Sequence, residues 1–249
     1  MPFALNPRGL ATSGMTGSGF IIVKNLHKHY LDGQGNDVHV LRGVDLTVQR
    51  GETVSIMGAS GTGKSTLLHL IGALDKADDG TVVADGMNLA QLNGEKGARF
   101  RNEVIGFIFQ FHHLLMDFTA LENVMMPLWI KAGRTLAFQT EAGRLLEEVG
   151  LAHRSGHKPA QLSGGEQHRL AIARAIANRP KILLADEPTG NLDEGTGKQV
   201  GELLLRLNRE YGLTLLLVTH NPQFAGRMAK QFLLEKGKLH PRRPPSHHR

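Results

Sequence analysis

Cysteine is absent from the 249-residue chain, which removes disulfides, thiol nucleophiles and cysteine-based zinc sites from consideration. Aromatic residues are scarce too: one Trp and two Tyr, with no alternation of Arg and rings of the kind used on nucleic acid. No apolar run approaches the ~18 residues of a membrane-spanning helix; the strongest, Leu213 to Val218, is interrupted by Thr214. The chain is therefore expected to be soluble by itself. Met1 to Gly19 lacks the basic flank and apolar stretch of a secretion signal, which fits a cytoplasmic location. The formal charge is +6, but Arg8, Arg242, Arg243 and Arg249 lie in terminal segments that contain no acid. The body is close to neutral, and no nucleic-acid partner is expected.

The chain is long for one compact domain and short for two full ones, so the expectation is one large core with an inserted subdomain. Residues 1–19 read as a flexible extension, 20–240 as the folded domain and 241–249 as a basic, proline-broken tail. Phe20 to Val23, Val38 to Val48 and Thr81 to Asp85 read as strands of a small antiparallel layer, on alternating apolar residues. Val54 to Met57, Ile105 to Phe109, Ile182 to Ala185 and Leu215 to Val218 are short, nearly continuous apolar runs, as parallel strands covered on both faces require. Between the second and third of these, about 111–162, helical periodicity at Leu145, Leu146 and Val149 and a break at Pro127 suggest a helical insert. The fold class is α/β.

Gly58-Ala59-Ser60-Gly61-Thr62-Gly63-Lys64-Ser65 follows the first of these apolar runs and precedes an apolar helix. Its glycines let backbone N–H groups approach phosphates, Lys64 supplies a point charge, and Ser65 offers a hydroxyl to a phosphate-bound Mg²⁺. In an open α/β sheet ligands bind beyond the carboxyl ends of the strands. The other three parallel runs lead into Gln110, Asp186-Glu187 and Thr219-His220. Asp186 suits Mg²⁺, in partnership with Ser65, and Glu187 suits activation of the attacking water. Gln110 can bridge the metal and that water, or be a polar residue at a strand end. His220, as a neutral imidazole, can donate to a γ-phosphate and orient the water, or be an ordinary loop histidine. An N-cap role for Asp186-Glu187 is disfavoured because Pro188-Thr189-Gly190-Asn191 intervenes and caps better.

Leu162-Ser163-Gly164-Gly165-Glu166-Gln167 precedes another apolar helix, with Ser163 and Glu166 spaced as a capping box. A box alone does not explain two glycines in the first turn, each costing about 1 kcal/mol against Ala in a helix interior. A bare helix start can receive a phosphate. Since Lys64's loop already holds the phosphates from one side, a second copy of the chain is expected to present Ser163, Gly164 and Gly165.

The ordered set Gly58–Ser65, Gln110, Leu162–Gln167, Ile182–Glu187, Asn191-Leu192-Asp193 and His220 resembles the ATP-binding cassette ATPases across nearly the whole chain between its tails. The resemblance implies a P-loop NTPase (RecA-like) core with an antiparallel β subdomain and an inserted α-helical subdomain. It also implies a homodimer that sandwiches two ATP molecules with Mg²⁺, and adds Thr66 and Glu166 to the nucleotide-binding positions. Tyr30 resembles the residue that stacks on adenine, with a packing tyrosine as the alternative. The stretches around Gln110–Leu115, Asp117–Val124 and Met126–Leu128 are similar to cassettes of lipoprotein-releasing transporters and, more broadly, to MacB-like cassettes. Met116 departs from the proline expected there, and His168 from the usual Gln or Arg. Integral membrane subunits and a peripheral place on the inner membrane's cytoplasmic face follow from that likeness. A soluble cassette acting on DNA or ribosomes should show a coiled coil or a second cassette, and the sequence has neither.

Overall fold

The computed structural model describes residues 19–242; the rest of the expected extension and tail, residues 1–18 and 243–249, lies outside the described residues. Alternation builds the first layer. Strand β1 (Ile21–Leu31) pairs antiparallel with β2 (Asp37–Val48), where buried Val44, Leu46 and Val48 alternate with exposed Asp45 and Thr47. Its other edge pairs with β4 (Asp79–Ala84), and the two-residue β5 (Met87–Asn88) completes a four-stranded sheet ordered β2-β1-β4-β5. β1 runs well past the expected Val23, because register shifts around Asn25 let it keep pairing as far as Leu31.

The second sheet is ordered β10-β9-β3-β8-β7-β6, with β3 (Thr53–Met57), β6 (Ile105–Ile108), β7 (Ile182–Asp186), β8 (Thr214–Val218) and β9 (Lys230–Glu235) parallel. Helices cover both faces, and the two-residue period sorts each strand between two cores. Val54, Ile56, Ile182, Leu184, Leu216 and Val218 pack with α1 (Lys64–Ile71) and the antiparallel sheet. Leu183, Ala185, Leu215 and Leu217 pack with α5 (Gly164–Ile176) and α6 (Glu194–Tyr211). Each fully buried Leu, Ile or Val contributes about 1.5–3 kcal/mol over its exposed state, so both faces are strongly specified.

β9 and its antiparallel neighbour β10 (Lys238–Pro241) are absent from the strands expected on sequence. Pro241, the first residue of the expected tail, therefore belongs to a strand, paired with Phe232. Pro241 is tolerated because β10 is the sheet's edge. Helix α2 (Gly94–Glu103) leads into β6.

The helical part contains α3 (Ala120–Ala132) and α4 (Gln139–Glu148) packed on α5. α3 opens with a Thr119–Glu122 capping box and runs straight through Pro127, which was expected to break it. Ala120, Val124, Met125 and Leu128 bury one face on both sides of the proline, so packing offsets the lost N–H. The Pro127 carbonyl itself accepts from Asn102 Nδ2 at 3.2 Å and Asn178 Nδ2 at 3.0 Å, which ties α3 to its neighbours at that point. Fully buried Asn123 holds the approach to α3, accepting from Leu115 N at 2.9 Å and donating to the carbonyls of Leu115, Phe118 and Thr119.

Candidate active site

The glycine loop joins β3 to α1, and the chain closes around it. Gly63 caps α1 in a left-handed conformation, φ 98°, with no side-chain cap, so the helix's first N–H groups face a prospective ligand. A Cβ on Gly63 would lie 2.7 Å from Val40 Cγ1, and one on Gly58 would lie 2.5 Å from the Leu234 carbonyl oxygen of β9. Thr62 Oγ1 donates to Ala59 O at 2.9 Å. Lys64 folds its buried stem across the loop and donates from Nζ to the carbonyls of Gly58 and Ala59, both at 2.9 Å. None of the ion pairs among the described residues involves Lys64, which leaves its charge for an anion.

Tyr30, near the end of β1, is 40% exposed and fixed at its tip, where its hydroxyl donates to Asp75 Oδ2 at 2.7 Å. Burial of the hydroxyl and the Asp75 carboxylate push its pKa up to about 12, so the phenol stays neutral. Thr66 of α1 stands beside it, and Lys28 Nζ lies 4.9 Å from the ring centroid. Such exposure is not that of a core tyrosine.

The strand order β3-β8-β7-β6 brings the other expected residues to one edge. Asp186 ends β7 and pairs in register with Val218. Glu187 follows with a left-handed φ of 47°, rare for a residue with a side chain, and its N–H is held by Val218 O at 3.0 Å. That turn aims its carboxylate at His220: Oε2 lies 2.9 Å from Nδ1 and accepts from the His220 N–H at 3.1 Å. The His220 ring stays largely exposed beside that carboxylate, on the strand-end edge that carries Asp186 and Glu187. Gln110 lies two residues beyond β6, where its carbonyl accepts from Asn191 Nδ2 at 3.5 Å, linking two of the strand-end loops. The N-cap of α6 is Asp193, not the Pro188–Asn191 stretch, because its Oδ1 reaches Thr196 N at 3.0 Å.

Ser163 caps α5, and the expected box is formed: Glu166 Oε2 accepts from Ser163 N at 2.8 Å, and Ser163 Oγ from Glu166 N at 3.3 Å. Glu166 also receives Arg154 Nε at 3.0 Å. The Ser163 backbone N–H and that guanidinium draw its carboxyl down to about 2. The two glycines differ. A Cβ on Gly165 would come 2.8 Å from Thr196 Cγ2 of α6, a packing reason the sequence reading lacked, whereas one on Gly164 would meet nothing within 4 Å. Ser163 and Gly164 are exposed.

A phosphate loop, a carboxylate pair at a neighbouring strand end, an antiparallel layer carrying an exposed tyrosine and a glycine-headed helix define a P-loop nucleotide hydrolase of the ATP-binding cassette class. The family model described as ABC transporter matches residues 41–190, and the chain belongs to that family. It is an ATP-binding, ATP-hydrolysing cassette. Among curated relatives, it is 52% identical over 222 residues to the lipoprotein-releasing system ATP-binding protein LolD of Geobacter metallireducens, covering 89% of this chain and 98% of that protein. To the protein of the same name in Shewanella frigidimarina it is 50% identical, covering 87% of this chain and 90% of that one. Among solved structures, the dimeric post-hydrolysis state of the cassette MJ0796 bound to ADP and Pi superposes with a TM-score of 0.82 at 41% identity, covering 88% and 96% of the two chains.

Proposed function

We propose that this chain is the ATPase subunit of a transporter that releases lipoproteins from the inner membrane, acting as a homodimer on the cytoplasmic face beneath integral membrane subunits of the LolC/LolE kind. The observation that carries the reading is identity of about half with lipoprotein-releasing ATPases over almost their whole length. Among the described residues no helix is long and apolar enough to cross a membrane. Phe111, Leu115 and Met116, exposed beside Gln110, are the apolar residues offered to a membrane subunit; Val124 and Met125 of the same run are core.

In this reading residues Gly58 to Thr66 cradle the phosphates and Tyr30 stacks on adenine. Ser163, Gly164, Gly165 and Glu166 of a second copy close the site, a role supported by the dimeric MJ0796 cassette with its ADP and Pi. Mg²⁺ enters with ATP. No group of three His, Asp or Glu among the described residues could cage a metal, which suits an ion held mainly by phosphate oxygens with Ser65, Asp186 and Gln110. Glu187 takes the proton of the attacking water on Oε1, with His220 steadying Oε2.

Reconstitution with the membrane subunits in lipoprotein-loaded proteoliposomes tests both levels. Glu187→Gln is expected to lower ATP turnover at least ~100-fold, to keep ATP bound in a stable dimer and to stop release. Parental turnover in that variant would overturn the role of Glu187, and brisk turnover of the parent complex with lipoproteins left in the bilayer would overturn the cargo.

A further inference from the structure

α5 carries the exposed Ser163–Gly164 turn at its start, and farther along it two side chains grip the segment that follows Gln110. His168 Nδ1 lies 3.0 Å from His112 Nε2, the rings edge-to-face with centroids 4.9 Å apart. Arg174, nearly two turns on, donates from Nη1 to His113 O at 2.6 Å and from Nη2 to His112 O at 2.7 Å. The backbone turns there, with His113 at φ 48°. Three hydrogen bonds from one helix thus fix two consecutive residues just past Gln110.

The geometry also fixes where the protons sit. His168 is 2% exposed and its Nε2 has no partner. A buried N–H left without an acceptor is rarer and costlier than an idle lone pair, so the proton belongs on Nδ1, which donates to His112 Nε2. Burial, with His112 close by, lowers His168 to about 4, which keeps the ring neutral.

We propose that His168 and Arg174 are positioning residues for hydrolysis: they clamp the segment behind Gln110 to α5, so that Gln110 and the Ser163–Gly164 turn move as one body. The proposal rests on the role given to Gln110 above. Because Ser163 serves the second copy's nucleotide in that reading, the clamp joins the two sites of a dimer through one helix.

The test uses the full chain and the different reach of amides. Asn at 168 places a donor where Nδ1 sits and nothing at Nε2, whereas the Gln amide reaches toward the Nε2 side. At 112 the bonded atom is Nε2, so Gln imitates it and Asn falls short. His168→Asn and His112→Gln are expected to keep turnover, while His168→Gln, His168→Leu, His112→Asn and His112→Leu lower kcat about tenfold. Nucleotide affinity, set by the glycine loop and Tyr30, should stay at the parental value throughout. The double leucine variant should be no slower than the slower single, as expected for one shared bond. If the leucine variants fail to fold, the Asn–Gln contrast decides alone: equal turnover of the two amides at each position rejects the clamp. Gln110→Ala is run in parallel. Loss there with parental turnover in His168→Leu rejects the clamp by itself, and parental turnover in Gln110→Ala rejects the role of Gln110 and the clamp with it.

Discussion

The starts of α1 and α5 both carry glycine, yet α1 is uncapped and α5 is fully capped, and the glycine on which each turns, Gly63 or Gly164, is crowded at the first and open at the second. At α1 two of the loop's three glycines are enclosed, Gly58 against the Leu234 carbonyl of β9 and Gly63 against Val40 of β2, while Gly61 is open. No side chain caps that helix, so its N–H groups remain for phosphate. At α5 the cap is complete, with Ser163 and Glu166 bonded to each other's N–H, and Gly164 faces open space. The first turn is crowded by its own chain yet has no side-chain cap. The second has its own needs met and still displays backbone outward at Gly164.

The strongest way to break this contrast is to add a methyl group at each glycine. Gly58→Ala forces a Cβ against a backbone oxygen and is expected to cost about 1–3 kcal/mol of stability and to abolish ATP binding, read by thermal unfolding and titration with a fluorescent ATP analogue. Gly164→Ala should stay within about 0.5 kcal/mol of the parent while ATP turnover falls. Equal destabilisation by the two would erase the distinction. A less drastic effect comes from mixing two inactive variants, Lys64→Ala and Gly164→Asp. If the α5 turn works across a dimer, half of the sites in a mixed dimer are intact and some turnover returns. No return despite proven mixed dimers and normal occupancy of the intact site would leave the turn serving its own chain. Gly164 suits this test better than Gly165, whose substitution also strikes Thr196.

The smallest effect concerns acid. Glu166 is held near 2, below an unfolded Glu at about 4.3. Its box therefore contributes stability that is fully present above the unfolded value and is lost as pH falls toward 2. The unfolding temperature of the parent should exceed that of Glu166→Gln at pH 6, with the gap closing between about 4.3 and 2. α1 has no acid in its first turn, so no such sensitivity arises there. A gap that is constant with pH would detach the low Glu166 value from the cap.

What was legible in the sequence follows this same divide between local and distant. Gly58–Ser65 and Ser163–Glu166 are contiguous, and the strand-end residues announce themselves by ending apolar runs. β9 escaped because Lys230 and Gln231 open it with polar side chains, although Gln231 is buried. The left-handed Glu187 is invisible in a sequence, because that conformation ordinarily asks for glycine or asparagine. Nor does spacing reveal a bond between His112 and His168, 56 residues apart. The proline-glycine stretch Pro188–Asn191 has the composition of a cap, but the helix begins only after it, with Asp193 as its cap.

The strand order has a consequence in time. β3 pairs on one side with β8, Val54 beside Leu216, and on the other with β9, Ile56 beside Phe232. The ribosome adds about 5–20 residues per second, so β3 waits on the order of ten seconds or more after synthesis before either neighbour exists. Until Leu234 emerges, nothing stands against Gly58 from that side. A nascent chain thus carries the complete glycine sequence long before the strand that closes against it has been made.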